Sequence, residues 1–418
     1  MRPLLLNTSD REGGAARAVA RLHLALRAEG LDSAMMVQWK GGNLPDVFAP
    51  QGIAGRLFSR AKFELEKLPL RAYRPVSKDF SAPWAPSLTP GRVRRLAPDL
   101  VHLHWTSYGL LNIEDLARLG APIVWTLHDM WAFTGGCHYS LGCPRFQQAC
   151  GACPILSSSE ENDLSRRVWR RKHRAWRNLI LHTVAPSRWM AERARESSLF
   201  TGRDIHVIPN AIDVNLFKPE DRGAARDRLG LPQGPKLILF GAVDSANNPR
   251  KGPHLLRAAL EKLSERIREP VELVVLGQNS PSPEGVFPLP THYVGSLSDD
   301  SALVTLYAAS DVVVLPSVED NLPNIAMEAL SCGRACVGFH IGGLPDLIDH
   351  GASGYLARAL DPADFAEGIL QCLDPDHAAS YSQQGRAQAL VKYSPHIVAR
   401  QHIALYRSVL AAQADDLA

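Results

Sequence analysis

Apolar residues along this chain fall into short continuous runs, separated by longer stretches in which apolar positions recur with helical spacing. In the first half the continuous runs lie in PLLLNTS, SAMMVQ, PDLVHLHW, APIVWTLHD and HTVAPS. In the second half they lie in KLILFGAV, VELVVLGQ, HYVGSL, DVVVLPS and CVGFH. Continuous apolar runs are typical of parallel strands that are buried on both faces. The pattern therefore predicts two α/β domains, each with a doubly wound parallel sheet.

The polar stretch EDRGAARDRLGLPQGP separates the two series of strands, in a chain of 418 residues that exceeds one ordinary core. We predict an N-terminal domain over 1–220, a second domain over 221–395, and a C-terminal helix over 396–418 that returns to the first domain. Residues 43–95 are predicted to be irregular, apart from the amphipathic basic segment GRLFSRAKFELEKLPLRAYR. That segment suits a solvated helix face, with an anionic bilayer surface as the alternative.

The formal net charge of +3 is nearly balanced and requires no acidic polymer as a partner. The apolar run at the start is too short for a signal peptide, and no stretch of about 18 apolar residues would span a membrane. We therefore expect a cytoplasmic protein, with peripheral contact at the inner face of the plasma membrane as a further expectation. Its seven cysteines are expected to be mostly reduced.

The strongest candidate for a ligand site follows the apolar run DVVVLPS. A helix is predicted to begin at residues 321–324, directly after a parallel strand, where unpaired amides and the helix dipole favour an anion such as a diphosphate. Asp320 and Glu328 stand eight positions apart across this helix start, and carboxylates accept paired hydrogen bonds from a sugar diol. Gly342 and Gly343 in the next loop let the backbone approach a ligand closely.

Two further loops carry candidate binding residues. Arg250 and Lys251 precede a predicted helix, where their charges can neutralise a diphosphate. Gly13 and Gly14 lie where the first strand meets its helix, so that loop can pass beneath a phosphate or an acceptor. The plainer alternatives are a solvent-exposed basic turn and a tight turn.

His128 and Asp129 end the predicted strand IVWTLHD. A histidine at the rim of such a sheet can hydrogen-bond a sugar hydroxyl or a phosphate, and Asp129 can orient its ring. A histidine bonded only to backbone is the alternative.

Four cysteines lie within seventeen residues, spaced C-x5-C-x6-C-x2-C: Cys137, Cys143, Cys150 and Cys153. In a reducing compartment, clustered thiolates more often hold a metal than form disulfides. A structural zinc is therefore expected. The spacing matches no common zinc ribbon, so a redox-labile disulfide pair and free thiols remain open.

Residues 164–180 carry seven Arg or Lys residues, interleaved with Trp169 and Trp176. The two tryptophans are seven residues apart and share one side of a helix. Three interpretations compete: an outer helix that packs its tryptophans inward, a peripheral membrane helix, and a nucleic-acid-binding face.

In their order along the chain, these motifs resemble family 4 glycosyltransferases of the GT-B architecture. The resemblance rests on GGAARA, HLHW, TLHD, VAPSRWM, VIPNAID, RKG, YVGSL, ASDVVVLPS, EDNLPNIAMEAL and GGLPDLI, which cover nearly the whole chain. The cysteine stretch and EDNLPN resemble the bacterial branch that makes capsule, exopolysaccharide or lipopolysaccharide chains. The resemblance implies two Rossmann-like doubly wound domains that face each other across a cleft, with the acceptor bound by the first and the donor by the second.

The resemblance also implies a reaction, in which a sugar moves from a UDP- or GDP-linked donor to a saccharide or lipid-linked acceptor. Configuration is retained, and no metal is required for catalysis. By this resemblance His128 lies near the reacting sugar, Asp320 touches the donor sugar, and Glu328 binds the ribose hydroxyls. The donor-binding residues that it implies are Gly13, Gly14, Arg250, Lys251, Val294, Leu297, Asn321, Leu322 and Glu328. The family's usual Gly-Arg pair appears here as Gly241-Ala242, so Arg250 is expected to replace the lost charge.

Two alternative functions remain. One is a GT-B sugar-nucleotide epimerase, which would lack an acceptor site. The other is a zinc-containing nucleic-acid-binding protein, based on the four cysteines and the arginine-rich segment; the glycosyltransferase interpretation itself expects no nucleic-acid partner.

Overall fold

The computed structural model describes residues 1–50, 52–75, 79–241, 248–280, 286–297 and 299–417. The chain divides into two compact units. The first unit comprises Met1–Pro209 and Val398–Ala418, and the second comprises Asn210–Ile397.

The first unit is built on a parallel sheet of seven strands in the order β3-β2-β1-β4-β5-β6-β7. The strands are β1 (Pro3–Ser9), β2 (Ala34–Trp39), β3 (Val47–Phe48), β4 (Leu100–Leu103), β5 (Ile123–Thr126), β6 (Leu181–Ala185) and β7 (Ile205–Val207). The helices that precede residue 209 are α1 (Gly14–Ala28), α2 (Gly52–Glu66), α3 (Thr89–Leu96), α4 (Leu164–Trp176) and α5 (Arg188–Glu196). Short 3-10 turns include Leu68–Ala72 and Trp131–Phe133.

The second unit has a parallel sheet of six strands in the order β10-β9-β8-β11-β12-β13. The strands are β8 (Lys236–Gly241), β9 (Val271–Leu276), β10 (Thr291–Tyr293), β11 (Val312–Leu315), β12 (Ala335–Phe339) and β13 (Gly354–Ala357). The helices are α6 (Arg222–Leu229), α7 (Pro253–Arg266), α8 (Asp300–Ala309), α9 (Asn324–Ser331), α10 (Leu344–Leu347), α11 (Pro362–Leu373) and α12 (Pro375–Lys392). A final helix, α13 (Pro395–Leu417), extends into the first unit.

The predicted fold class is confirmed, because each unit has the strand order of a doubly wound sheet. The order reverses between β1 and β4 in the first unit and between β8 and β11 in the second. Ligands of such sheets bind beyond the carboxyl ends of the strands at that reversal. All seven residues of β1 and all four of β11 are buried, which explains the continuous apolar stretches PLLL and VVVL in these strands.

The structural boundary between the units lies at residues 209 and 210, whereas the sequence places it at 220. The intervening residues belong to the second unit because Ile212, Val214 and Phe217 are buried in its core. The backbone N–H of Ile212 also donates to the carbonyl of Tyr393, over 2.9 Å.

The C-terminal helix contributes directly to the first unit. The hydroxyl of Tyr406 on α13 lies 2.6 Å from Nδ1 of His102 on β4, and both side chains are buried. Within residues 43–95 the amphipathic basic segment forms α2, and β3 and α3 are additional elements that the sequence did not predict. Pro90 is tolerated in α3 because it occupies the first turn, where its missing N–H would have no helical partner.

Candidate functional site

In the second unit, two predicted site residues meet at the strand-order reversal. Lys251 follows β8 and Asp320 follows β11, and Lys251 Nζ lies 2.6 Å from Asp320 Oδ2. Arg250 lies 3.6 Å from the other carboxylate oxygen, and it donates to the carbonyl of Glu319 over 3.0 Å. The three charged side chains are only 8–19% exposed, so they form a largely buried cluster.

Two glycines allow the loops around this cluster to approach closely. Gly252 has φ of 69°, and a Cβ there would lie 1.8 Å from the carbonyl oxygen of Pro316. Gly342 has φ of 56°, and a Cβ there would lie 2.2 Å from the carbonyl oxygen of Asp320. Gly343 N–H donates to that same oxygen over 3.0 Å. The loops after β8, β11 and β12 are therefore packed backbone against backbone around Asp320.

The cluster has an excess of positive charge. Burial alone would raise the pKa of Asp320, yet the charges of Lys251 and Arg250 and hydrogen bonds from Lys251 and the Asn321 amide hold that pKa below its usual value. One carboxylate therefore faces two cations, beside the start of α9. The N-cap residue of α9 is Pro323, which supplies no side-chain cap for the first-turn amides. Such an arrangement favours a bound anion.

Glu328 is held by a hydrogen bond from a different helix. It is 2% exposed on α9, and its Oε2 accepts a hydrogen bond of 2.6 Å from the hydroxyl of Tyr307 on α8. Lys251 and Asp320 are thus brought together, whereas Glu328 is held by a residue that sequence reasoning missed. Tyr307 occupies an apolar position of the helical pattern LVTLYAAS, so the pattern indicates only a core residue and not a hydrogen-bond donor.

The remaining predicted donor-binding residues lie near the same edge of the sheet. Val294 and Leu297 are half-buried against the core of the second unit, and Leu322 is buried within it. The Asn321 amide donates to Asp320 Oδ1 over 3.1 Å. Ala242, where the resemblance predicted a lost positive charge, lies outside the described residues.

In the first unit, His128 follows β5 and contacts a histidine that was not predicted as a site residue. Its Nε2 lies 2.9 Å from Nδ1 of His104, which follows β4. Both rings line a small cavity, together with Trp105, Asp129 and neighbouring residues. His104 Nε2 is buried and has no hydrogen-bond partner among the described residues. The repeated form of HLHW and TLHD at the ends of two strands was the sequence signal for this pair.

The histidines continue into the interior as a series of tilted ring contacts. The ring centroids of His102 and His104 are 4.2 Å apart, and those of His102 and His402 are 5.3 Å apart. Burial lowers the pKa of His128 to about 4 and that of His402 to about 3. Burial also lowers the pKa values of His102 and His104 well below the usual range. All four rings are therefore neutral near pH 7.

Asp129 has a different partner from the one that the sequence predicted. Its Oδ2 accepts hydrogen bonds from Nδ1 of His138 over 2.6 Å and from Nε1 of Trp105 over 2.7 Å. Its Oδ1 accepts from the Trp131 amide over 2.8 Å. Burial opposes ionisation, yet His138 and these hydrogen bonds lower the pKa of Asp129. In these contacts Asp129 orients His138 and Trp105, because the loop after β5 turns its carboxylate toward them.

Gly13 and Gly14 lie at the predicted place, between β1 and α1. Gly13 is the N-cap of α1 with φ of 90°, and a Cβ there would meet no atom within 4 Å. The open space next to this helix start leaves room for a ligand at the carboxyl end of β1.

The four cysteines surround one cavity but do not form a metal site. Cys137, Cys143, Cys150 and Cys153 all line it, together with apolar side chains such as that of Phe146. Among the described residues, no three Cys, His, Asp or Glu side chains are arranged to hold a metal ion. Burial raises the pKa of Cys150 to about 12 and raises those of Cys137 and Cys153, which favours neutral thiols. This geometry does not fit the predicted zinc, and none of the four cysteines forms a disulfide.

The arginine-rich segment forms α4, whose tryptophans face the protein. Trp176 is 2% exposed and its Nε1 donates to the carbonyl of Ile113 over 2.7 Å. Trp169 Nε1 donates to Ser198 Oγ over 3.1 Å. Arg171 forms a bidentate pair with Glu114, with N–O distances of 3.0 and 2.7 Å.

Lys172 on the same helix is fully buried, and burial lowers its pKa to about 7. These contacts favour the outer-helix interpretation, and they leave neither tryptophan available as a membrane anchor. The nucleic-acid-binding interpretation gains no support, because it rested on this segment and on the zinc.

Comparisons with known proteins agree with this fold. The family model for Glycosyltransferase Family 4 matches residues 12–216, and the model for Glycosyl transferases group 1 matches residues 234–375. A D-inositol 3-phosphate glycosyltransferase from Thermobispora bispora is 27% identical over 309 residues, which are 70% of this chain. The chain spans 65% of the length of that relative.

Two solved structures resemble almost the whole chain. Sucrose-phosphate synthase from Thermosynechococcus elongatus has a TM-score of 0.70 and 20% identity, over 98% of this chain and 99% of its own. HepE from Anabaena, solved with UDP and glucose, has a TM-score of 0.65 and 19% identity, over 98% of this chain and 100% of its own. With two family models matched in sequence along the chain and two doubly wound units, the chain belongs to the family 4 glycosyltransferases and has the GT-B fold.

Proposed function

We propose that the chain transfers a sugar from a UDP- or GDP-linked donor to a saccharide or lipid-linked acceptor. The observation that carries the proposal is the buried cluster of Lys251, Arg250 and Asp320 beside the start of α9. Its excess positive charge suits a diphosphate, and the carboxylate of Asp320 keeps both cations in fixed positions. The UDP and glucose bound in HepE support a donor of the same class.

The proposed role of the cluster is to stabilise the charge that develops on the departing diphosphate. Lys251 and Arg250 supply two cations, and the first-turn amides of α9 supply the positive end of a helix dipole. These groups are already ordered before the reaction, so little reorganisation is needed as the bond breaks. In this scheme no metal ion is required for catalysis.

Glu328 is proposed to bind the ribose hydroxyls of the nucleotide. A carboxylate can accept two hydrogen bonds from a vicinal diol. Tyr307 donates to Oε2 over 2.6 Å and so fixes the orientation of the Glu328 carboxylate. Tyr307 is therefore a positioning residue in the proposed donor site.

We propose that the reaction proceeds with retention. Asp320 is engaged by Lys251 at 2.6 Å, so it is a poor nucleophile toward the anomeric carbon. The alternative is a same-face substitution, in which the anomeric carbon–phosphate oxygen bond breaks as the acceptor oxygen forms its new bond. The acceptor proton then passes to the departing phosphate oxygen. His128, neutral because of its lowered pKa, would hydrogen-bond a hydroxyl of the reacting sugar.

The proposed setting is bacterial cell-surface polysaccharide synthesis, in the cytoplasm, with a nucleotide sugar as the donor. Among the described residues, no helix is both long enough and apolar enough to cross a bilayer. Contact with a lipid-linked acceptor would therefore take place at a membrane surface.

The first experiment measures thermal shifts with UDP, GDP and a panel of their sugar conjugates, for the wild type and for Lys251→Met. The exposed Lys262 of α7 provides the control variant Lys262→Met. We expect one nucleotide family to stabilise the wild type and Lys262→Met, but not Lys251→Met. No shift with any nucleotide would contradict the proposal.

A second experiment follows the best donor without an acceptor by NMR. A retaining transferase hydrolyses its donor slowly to the sugar of the same anomeric configuration. Rapid formation of an epimeric nucleotide sugar would instead identify an epimerase. Initial release of the inverted sugar would contradict the proposed retention.

A further inference from the structure

Helix α2 presents an apolar surface to the outside of the first unit. Ile53, Leu57, Phe58 and Leu65 are 80%, 62%, 49% and 43% exposed. At 3.6 residues per turn their spacing places them on one side of the helix. Exposed apolar side chains scattered singly are ordinary, but four large ones on one helix side indicate an interaction surface.

The opposite side of α2 is the one that packs on the protein, although it carries charged residues. Lys62 is 3% exposed and Glu66 is 8% exposed. The Lys62 ammonium and one Glu66 oxygen are buried and have no hydrogen-bond partner among the described residues. Phe63 anchors this side, with ring centroids 5.6 Å from Trp39 and 5.1 Å from Tyr108. The outward direction of the apolar side is therefore set by specific packing.

The apolar surface extends beyond the helix itself. Leu68, in the following 3-10 turn, is 40% exposed, and Trp84 is 42% exposed. Trp84 Nε1 donates to the carbonyl of Leu65 over 3.1 Å, which holds the tryptophan beside the end of α2. A tryptophan with one polar atom satisfied and its ring exposed is well suited to a membrane interface.

Positive charges accompany this surface. Residues 52–72 contain five Lys or Arg residues and two Glu residues. Arg60, Lys67 and Arg71 are exposed. Glu64 is paired with Lys67 at 2.8 Å, and Glu66 is buried. The exposed charge beside the apolar side chains is therefore positive overall, which is complementary to anionic headgroups.

We propose that α2, with Leu68 and Trp84, docks the first unit on an anionic lipid bilayer. Apolar side chains enter the headgroup boundary, and the arginines and lysine contact lipid phosphates. The sequence offered two segments for membrane contact, the basic segment that forms α2 and residues 164–180. Because α4 directs its tryptophans inward, α2 takes that role. The inner side of α2 rests on β2 and on the loop after β4, near the strand-order reversal of this unit. If the acceptor is lipid-linked, as the proposed function has it, the first unit would thus bind it at the bilayer surface.

Vesicle flotation tests the proposal without any donor or acceptor. We expect the wild type to float with vesicles of phosphatidylcholine and phosphatidylglycerol, and to bind pure phosphatidylcholine weakly. The double variant Leu57→Gln, Phe58→Gln should partition at least about tenfold less, because two side chains that enter the bilayer become polar. The control Ile180→Gln alters a residue that is 69% exposed outside α2, and should bind as the wild type does.

The variants also distinguish other occupants of this surface. Both α2 side chains point outward, so the thermal unfolding temperature should be unchanged. Flotation of the double variant at wild-type levels would overturn the proposal, as would equal binding with and without phosphatidylglycerol. A wild-type dimer that the double variant converts to a monomer, with no vesicle binding, would reassign α2 to self-association. Nucleotide thermal shifts, measured in parallel, report on the donor site separately.

Discussion

Replacing Lys251 by methionine should separate the structural role of the ion pair from its catalytic role. Lys251 Nζ lies 2.6 Å from Asp320 Oδ2, and the two side chains are 19% and 8% exposed. Loss of one partner from a buried pair costs about 3–5 kcal/mol, because a charge remains uncompensated. Arg250 remains 3.6 Å from Asp320 and offsets part of that cost. We therefore expect Lys251→Met to lower the free energy of unfolding by about 2–3 kcal/mol.

The same variant should also lose transfer activity, and this loss should be larger than the loss expected from its lower folding stability alone. Removing one preorganised donor to a developing oxyanion lowers kcat by about 10²–10³-fold in other enzymes. The double variant Lys251→Met, Asp320→Asn removes both charges of the pair and should recover most of the lost stability. It should remain inactive, because the cation at the diphosphate is still missing.

The assay combines urea unfolding with donor binding by calorimetry and donor turnover by mass spectrometry. Lys262→Met controls for the loss of a lysine elsewhere in the second unit. Wild-type donor affinity and turnover in Lys251→Met would refute the catalytic assignment and leave a purely structural ion pair. Recovery of activity in the double variant would refute it as well.

Three further predictions concern other parts of the chain. Folding lowers the pKa of His128 from 6.5 to about 4, so only the unfolded chain gains this proton as pH falls through that range, and about 3 kcal/mol of folding stability is lost. Urea titrations of the wild type and His128→Asn between pH 7 and 4 should show a smaller loss in the variant. Tyr307→Phe should weaken donor binding about tenfold with a smaller effect on kcat, whereas Tyr355→Phe, which breaks a tyrosine bond of 2.9 Å to Asp364, should leave donor affinity unchanged; equal effects would contradict the positioning role. Cys137, Cys150 and Cys153, whose pKa values burial raises, should react with iodoacetamide at pH 8 at least about tenfold more slowly in the folded protein, and stoichiometric zinc release on unfolding would contradict neutral thiols and support the metal predicted from the sequence.

The fold followed from sequence because strands buried on both faces must be apolar at successive positions. The runs DVVVLPS and KLILFGAV correspond to β11 and β8, which are adjacent in the sheet. Two helix starts were also visible. Arg250 and Lys251 were placed just before a helix, which is α7, and residues 321–324 were placed at the start of another, which is α9. Candidate residues at the ends of these strands could therefore be named from order alone.

The partners of those residues could not be named in this way. Lys251 and Asp320 are sixty-nine positions apart, and their contact depends on how the loops after β8 and β11 pack. The sequence paired Asp129 with His128, its chain neighbour, whereas its hydrogen bonds reach His138 and Trp105. Side-chain direction at the end of a strand depends on the following loop, and periodicity carries no information about it.

Helix α2 illustrates a different limit. Its periodicity reveals two sides, and the usual rule places the apolar side inward. In the structure Lys62 and Glu66 face inward, because Phe63 is held by Trp39 and Tyr108. The proposed docking of α2 on a bilayer accounts for this exception, because its outward apolar side chains would then enter a second apolar environment.

The return of α13 to the first unit bears on how the protein is made. His102 lies on β4, yet its ring is covered by His402 and Tyr406, about three hundred residues later in the chain. While only residues 1–209 have emerged from the ribosome, the buried histidine cluster around His102 is still exposed to water. The first unit to be synthesised can thus complete its packing only after the second unit and residues 398–417 of α13 have emerged as well.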